Sequence, residues 1–132
     1  MVMLQETSLL SSSFKPIEMI TIYHNTRCRK SREGLEILKS SEREYQVREY
    51  LKDPLTEKEI EALLSKMEMA PIELVRKDEK LWKEEFRNRD LSDSELIRVM
   101  HENPKLIQRP IVETESTAVL GRPPSKISDL LS

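Results

Sequence analysis

The sequence lacks several features that mark large classes of proteins. Its 132 residues include one cysteine, Cys28, which excludes a disulfide within the chain and a metal cluster built from several of its own cysteines. No apolar run approaches the roughly 20 residues that a membrane-spanning helix needs. Lysine and arginine number 22 against 24 aspartate and glutamate residues, a net charge of −2, whereas general nucleic-acid-binding domains are usually basic. We therefore expect neither a membrane protein nor a nucleic-acid-binding protein.

The composition is that of one folded domain with a modest core. Apolar residues make up 37% of the chain and charged residues 35%, enough apolar content to argue against general disorder. Residues 1–18 (MVMLQETSLLSSSFKPIE) show little periodicity and have neither the basic start nor the long apolar segment of a secretory signal. We expect them to form a flexible extension ahead of a single domain at residues 19–132. The lone cysteine and the missing signal favour a reducing cytoplasm as the location.

The first part of this domain predicts a strand, a helix and a second strand. Residues 19–24 (MITIYH) are rich in β-branched and aromatic side chains and predict a buried strand. Leucines at helical spacing follow Cys28, and the alternation in residues 44–50 (EYQVREY) predicts the second strand. Cys28 is therefore expected in the turn between a strand and the start of a helix.

A block of helices and two more strands follow. Capping-box patterns begin at Thr56 and Ser92, and Pro71 suits the first turn of a helix that runs toward Arg76. Residues 111–112 and 118–120 flank a polar turn and predict a hairpin, and residues 125–131 predict a closing helix. A strand–helix–strand unit implies a parallel pair, to which a hairpin adds antiparallel partners. We expect an α/β fold, a thioredoxin-like mixed sheet with a helical insertion.

The surroundings of Cys28 favour an ionised thiol. Unpaired N–H groups and the positive end of the helix dipole point at a residue in this position. Four cations, Arg27, Arg29, Lys30 and Arg32, lie within four residues of it, and the Ser31 hydroxyl could donate a hydrogen bond to the sulfur. A lowered thiol pKa is typical of reactive cysteines. The alternative, a cysteine buried as a small apolar residue, fits these charged neighbours poorly.

Other side chains allow two interpretations. His24 could polarise the thiolate, or it could be a structural imidazole at a strand end, which we favour slightly. Trp82 and Phe86 could form a partner surface, but helical aromatics more often pack in the core.

Four segments of the sequence resemble the ArsC family of arsenate reductases, of the glutaredoxin-coupled type. They are YHNTRCRKSREGLEIL, ELVRKDE, LIQRPIVE and GRPPSKISDLL. The resemblance runs from about Met19 onward and keeps the order and approximate spacing of the family motifs. It implies that Cys28 is the catalytic cysteine and that Pro110 is the cis-proline that thioredoxin-like folds place opposite the thiol. The arginines that it implies for binding the substrate are Arg76, Arg109 and Arg122, and the supporting residues are His24 and Ser31.

The resemblance also implies a reaction. Arsenate or a similar oxyanion would be held by the arginines, whose planar forks donate paired hydrogen bonds, and the Cys28 thiolate would attack arsenic. Glutathione would act as co-substrate and glutaredoxin would complete the reduction to arsenite. No bound cofactor or metal is expected.

Three alternatives stay open. Each arginine could be an ordinary surface charge, although two of them precede a proline, which holds the backbone extended. The Spx-type regulators, which bind RNA polymerase, share the fold but usually carry CxxC where this chain has Cys28-Arg29-Lys30-Ser31. A third possibility is a related thiol oxidoreductase with another substrate. Arg29 stands where a small residue is common in the family, which bears on the reductant and the substrate more than on the fold.

Overall fold

The structure is a computed structural model that describes residues 19–132. The predicted extension at residues 1–18 lies outside the described residues. The elements along the chain are β1 (Ile20–Tyr23), α1 (Arg29–Ser40), β2 (Tyr45–Arg48), α2 (Glu57–Met67), α3 (Pro71–Leu74), a π-helical turn (Trp82–Phe86), α4 (Asp93–Glu102), a 3-10 turn (Pro104–Leu106), β3 (Ile111–Glu113), β4 (Ala118–Leu120) and α5 (Ser125–Leu131). Among residues 19–132, no helix has the length and apolar character needed to cross a membrane.

The four strands form one mixed sheet in the order β2-β1-β3-β4. Strand β1 pairs in parallel with β2 and antiparallel with β3, and β3 pairs antiparallel with β4. Tyr23, the last residue of β1, faces Arg48 of β2 and Ile111 of β3, and Ile111 in turn faces Leu120 of β4. One end of the sheet therefore carries the residues that follow β1, β2 and β4 and the residues that precede β3. We call this end the upper end.

The sheet separates two apolar clusters, because successive side chains of a strand point to opposite faces. On one face Ile20, Ile22 and Val112 pack with Leu38 of α1 and Ile127 of α5. On the other face Tyr23 and Ile111 pack against the block of helices between β2 and β3, which contributes Ile60, Leu63, Met100 and Leu106 among others. The order and the layers are those predicted from the sequence, a thioredoxin-like sheet with a helical insertion.

Most local predictions for the helices are confirmed. Both capping boxes are formed, with the Thr56 and Ser92 hydroxyls accepting from the backbone three residues later. Trp82 is buried in the core and stacks on Phe86 with ring centroids 5.9 Å apart. The core interpretation of these aromatic side chains is therefore correct.

Two predicted boundaries are wrong. The helix that starts at Pro71 ends at Leu74 and does not run to Arg76. The reason is tertiary: the Arg76 N–H donates to the Leu106 carbonyl at 2.7 Å, and the Gln108 N–H donates to the Leu74 carbonyl at 2.9 Å. These bonds form an antiparallel bridge between Val75 and Ile107, which places Arg76 next to the segment that leads into β3.

The second wrong boundary lies at the end of β2. The predicted strand included Tyr50, but β2 ends at Arg48. The Glu49 carbonyl accepts hydrogen bonds from the N–H groups of Lys52 and Asp53, at 3.0 and 2.9 Å, which turns the chain. Tyr50 therefore lies in a turn at the upper end of the sheet.

Candidate active site

Cys28 occupies the N-cap position of α1, as the sequence predicted. Its backbone is extended, with φ −94° and ψ 123°, and its carbonyl accepts from the Arg32 N–H at 3.0 Å. The side chain is partly exposed. A residue at this position faces the N–H groups of the first helical turn, which have no partners within the helix.

Several donors surround the sulfur of Cys28. Burial by itself would raise the pKa of this thiol. Three groups outweigh burial and lower the pKa of Cys28 below its usual value. They are the backbone N–H of Ser31, the Arg109 side chain through its charge and a hydrogen bond, and the backbone N–H of Lys30. The thiolate is therefore favoured, as a nucleophilic cysteine requires.

The main cation at the sulfur is distant in sequence. The prediction relied on four neighbouring basic residues, but Arg32 donates to the Thr26 carbonyl at 2.9 Å and Lys30 forms a loose ion pair with Glu33 at 3.9 Å. Arg109 instead approaches from the segment before β3. Sheet topology explains this, because β3 begins at the end of the sheet where β1 finishes.

The Arg109 guanidinium has donors that residues 19–132 leave unused. Its Nε and Nη1 atoms are buried, and neither has a hydrogen-bond partner among residues 19–132. Burying an unpaired donor of a charged group is costly. Such donors beside a thiol are well suited to an anion with several oxygens, because hydrogen bonds from a charged guanidinium to an oxyanion are stronger than those between neutral groups.

Arg109 is held in place through the residue that follows it. The Arg109–Pro110 peptide bond is cis, and the Gly121 N–H donates to the Pro110 carbonyl at 2.8 Å. A Cβ atom on Gly34 would lie 2.9 Å from Cγ of Pro110, and one on Gly121 would lie 3.1 Å from it. These are the two glycines of the chain, so both allow close approach to the same proline ring.

His24 and Ser31 support the turn that carries the cysteine. His24 is 4% exposed, and its Nδ1 lies 2.6 Å from Oγ of Ser31. The same Oγ accepts from the Asn25 N–H at 3.0 Å. Because the hydroxyl is engaged in these bonds, Ser31 reaches the sulfur through its backbone N–H and not through the hydroxyl that the sequence analysis invoked. Burial lowers the pKa of His24, which favours its neutral form.

The two other predicted arginines differ in their surroundings. Arg76 is mostly buried, and its Nη1 donates to Oε2 of Glu79 at 2.6 Å and weakly to the Lys105 carbonyl at 3.4 Å. Arg122 follows β4 at the upper end of the sheet and is exposed. Within the described part of the chain its side chain makes no hydrogen bond or ion pair. The roles predicted for these two arginines stay predictions.

Tyr50 is a site residue that the sequence analysis missed. It is 1% exposed, and its hydroxyl has no hydrogen-bond partner among residues 19–132. Burial raises the pKa of Tyr50 to about 12, while the charges of Arg109 and Arg76 oppose this rise. The sequence contains a signal for this residue, because residues after two parallel strands meet at the same end of a sheet, but the predicted strand includes Tyr50 itself.

The assembled site thus combines a thiol of lowered pKa with unused donors. Within residues 19–132, no three His, Cys, Asp or Glu side chains lie together as ligands of a metal ion. The chemistry that these side chains can perform is nucleophilic attack by sulfur on a bound anion.

Comparison with known proteins gives the family. A family model described as the ArsC family matches residues 23–130. The chain belongs to the ArsC family. The matched segment includes the Cys28 turn and the Arg109–Pro110 segment, so the ArsC match covers the whole site.

Individual ArsC relatives match over nearly their full length. The uncharacterized protein YfgD of Escherichia coli K12 is 40% identical over 116 residues, which are 86% of this chain and 98% of the relative. An arsenate reductase of Haemophilus influenzae is 32% identical over 114 residues, 85% of this chain and 98% of the relative. The solved structure of an arsenate reductase from Vibrio cholerae superposes with a TM-score of 0.81 at 35% identity, covering 86% of this chain and 98% of that one.

Proposed function

We propose that this protein is a thiol-dependent arsenate reductase in which Cys28 attacks the bound oxyanion. One observation carries the proposal: the thiol of lowered pKa lies against Arg109, two of whose buried nitrogens have no partner among the described residues. A nucleophile beside a cation with available donors is what attack on a tetrahedral oxyanion needs.

The fit to an oxyanion follows from charge and geometry. Arsenate is a small anion whose oxygens accept hydrogen bonds in several directions, as phosphate oxygens do. Arg109 can donate from Nε and Nη1 in one plane, and the N–H groups at the start of α1 add the positive end of a helix dipole. These donors would also stabilise the charge on oxygen as sulfur approaches arsenic.

The proposed reaction proceeds through sulfur–arsenic bonds. The Cys28 thiolate forms a bond to arsenic, and one oxygen leaves as water after protonation. Glutathione then displaces a second oxygen as water, which leaves arsenic bound to two sulfurs and still in the +5 state. A glutaredoxin thiolate attacks the glutathione sulfur, so that a disulfide forms and the electron pair of the broken S–As bond reduces arsenic to +3. Water finally cleaves the bond to Cys28 and releases arsenite.

The separate parts of this proposal have different support. Thiol-based redox chemistry is favoured by the site itself, and arsenate is suggested by relatives named arsenate reductases at 32% identity or more. An external thiol is needed because the chain offers no second cysteine. Glutathione and glutaredoxin are the donors that the family resemblance implies.

The test is turnover with defined components. Purified protein mixed with arsenate, glutathione and glutaredoxin should form arsenite, and Cys28→Ser should abolish its formation. Arg98→Ala, which changes an exposed arginine on α4, is the matched control for charge and should keep full activity. If the folded protein forms no arsenite with glutathione–glutaredoxin or with any other thiol donor, the proposed function is wrong.

A further inference from the structure

The buried hydroxyl of Tyr50 has no structural partner among residues 19–132. The residue is 1% exposed, yet the hydroxyl has no hydrogen-bond partner in the described part of the chain. Oδ1 of Asn25 accepts from the Arg27 N–H at 3.0 Å, and the Asn25 side chain lowers the pKa of Tyr50 in the way that a donor to the phenolic oxygen does. Such a donor leaves the hydrogen of the hydroxyl itself without an acceptor in the described part of the chain. Leaving a buried hydroxyl unpaired costs free energy, so a phenylalanine would serve the core at least as well.

The position of this hydroxyl explains what it can do. Tyr50 follows β2, Cys28 follows β1, and these strands run parallel, so both residues lie at the upper end of the sheet. Tyr50 is close enough to Arg109, Arg76 and Cys28 for each of them to act on its hydroxyl electrostatically. The unpaired hydroxyl and the unpaired Nε and Nη1 atoms of Arg109 therefore belong to the same site.

We propose that the Tyr50 hydroxyl donates a hydrogen bond to the oxyanion bound beside Cys28, an inference that rests on the proposed function. Tyr50 is then a substrate-binding residue from the turn after β2, in addition to Arg109 from the segment before β3. Its hydroxyl is a neutral donor, so it adds a directed bond to the anion without adding charge. A bound anion would satisfy the Tyr50 hydroxyl and the two Arg109 nitrogens together.

The hydroxyl could instead donate to the sulfur, and the two roles have different consequences. A bond to the anion strengthens anion binding and leaves the free thiol unchanged. A bond to the sulfur lowers the thiol pKa whether or not an anion is present. The test must therefore measure anion affinity and thiol ionisation separately.

The experiment measures alkylation of Cys28 by iodoacetamide in the full chain, since no other cysteine competes. Arsenate and sulfate, the latter an unreactive tetrahedral anion, are added to protect the thiol. In Tyr50→Phe the anion concentration that halves the alkylation rate should rise roughly tenfold or more, the gain typical of a hydrogen bond to a charged group. Tyr45→Phe is the matched control, because Tyr45 packs in the cluster with α1 and α5, and it should change nothing.

Two further readouts complete the test. In Tyr50→Phe the pH midpoint of alkylation without anion should stay as in the parent protein, and the free energy of unfolding should be equal or higher, because only an unpaired hydroxyl is removed. The proposal is wrong if Tyr50→Phe needs the same anion concentration as the parent protein to halve the alkylation rate. It is also wrong if a shift in the pH midpoint of alkylation accounts for the whole loss of protection, or if the free energy of unfolding falls. The absence of any protection by arsenate or sulfate in the parent protein overturns it as well. Protection without arsenite formation would contradict the proposed reaction and leave the anion contact of Tyr50 supported.

Discussion

Gly34 of α1 packs directly on the ring of Pro110, since a Cβ atom at Gly34 would lie 2.9 Å from Cγ of that proline. The contact joins the helix that starts at Cys28 to the residue that follows Arg109. The distance between the nucleophile and its cation therefore depends on a glycine in the second turn of the helix.

Replacing Gly34 with alanine should disturb this arrangement. Alanine favours a helix interior over glycine by about 1 kcal/mol, but the added methyl group would lie 2.9 Å from both Cγ of Pro110 and Cδ1 of Ile127. The end of Ile127 can rotate away, whereas the proline ring cannot. Because overpacking a core costs about 1–3 kcal/mol, we expect a net loss in the free energy of unfolding, measured by urea denaturation.

The same variant should react more slowly at Cys28. Displacement of α1 from Pro110 separates the sulfur from Arg109, so the alkylation rate at pH 7 should fall. Ser40→Ala, an exposed change in the same helix, controls for helix propensity and should leave the rate unchanged. A Gly34→Ala protein with the parent rate and stability would show that the close contact does not position the site.

Arg109 should set both the acidity of the thiol and the affinity for anions. Burial raises the pKa of Cys28, and the donors that reverse this include the Arg109 side chain. The pH midpoint of alkylation should lie below the value of about 8.5 for free cysteine and should move upward in Arg109→Ala. Arg109→Lys keeps the charge but loses the planar fork. Its pH midpoint of alkylation should therefore lie close to that of the parent protein, whereas arsenate should protect it little better than it protects Arg109→Ala.

Stability should follow the same ionisation. Because the pKa of Cys28 is lower in the folded protein than in the unfolded chain, ionisation of this thiol stabilises the fold. The contribution is complete above a pH of about 8.5 and is lost as the pH falls through the folded-state pKa. The rise in unfolding free energy over this range should be smaller in Cys28→Ser. An alkylation midpoint at or above 8.5 in the parent protein, or one that responds equally to Arg98→Ala, would contradict this assignment.

The features that sequence predicted correctly are those determined by nearby residues. The capping boxes at Thr56 and Ser92 and the placement of Cys28 before a helix depend on residues within one turn. The ends of helices and strands are harder to predict from sequence, because tertiary hydrogen bonds determine where they lie. The helix that starts at Pro71 ends at Leu74, and the Arg76 N–H bonds to the Leu106 carbonyl, which no local pattern indicates.

The site itself was predicted in part, and the missing part is non-local. The sequence indicated a reactive Cys28 and attributed its acidity to adjacent cations. The structure instead brings Arg109 to the sulfur through strand pairing and shows the serine acting through its backbone. The proposed role of Tyr50 cannot be predicted from local sequence, because it depends on a hydroxyl without a partner among the described residues, a property that appears only after folding.

Glu113 should contribute to stability and not to the reaction. Its carboxylate accepts from the Tyr23 hydroxyl at 2.6 Å and from Nζ of Lys66 at 2.7 Å, so it joins β3 to β1 and to α2. Replacement by glutamine keeps the shape but removes the charge, and we expect a loss of about 1–3 kcal/mol in unfolding free energy. Glu115→Gln, an exposed change in the hairpin turn, is the control. Equal stabilities of the two variants would contradict the prediction, and the alkylation rate of Cys28 should be unchanged in both.

His24 should stay neutral at pH values where an exposed histidine becomes charged. Burial lowers the pKa of His24, and the positive charge of Arg32 acts in the same direction against an opposing effect of Glu49. A proton NMR titration should therefore give a midpoint below about 6.5. The chain has two histidines, so a His101→Gln variant assigns the signals.

The consequence for stability has a definite sign. Because the unfolded chain binds the proton more readily than the folded protein, the free energy of unfolding should fall as the pH drops below about 6.5 and continue to fall until the folded-state pKa is reached. A His24→Asn variant, which keeps a polar group for the Ser31 hydroxyl but cannot titrate, should lose stability less steeply over this range. A titration midpoint above 6.5 would instead mean that a charged imidazole assists Arg109 in holding the thiolate, and the alkylation midpoint of Cys28 would then rise in the asparagine variant.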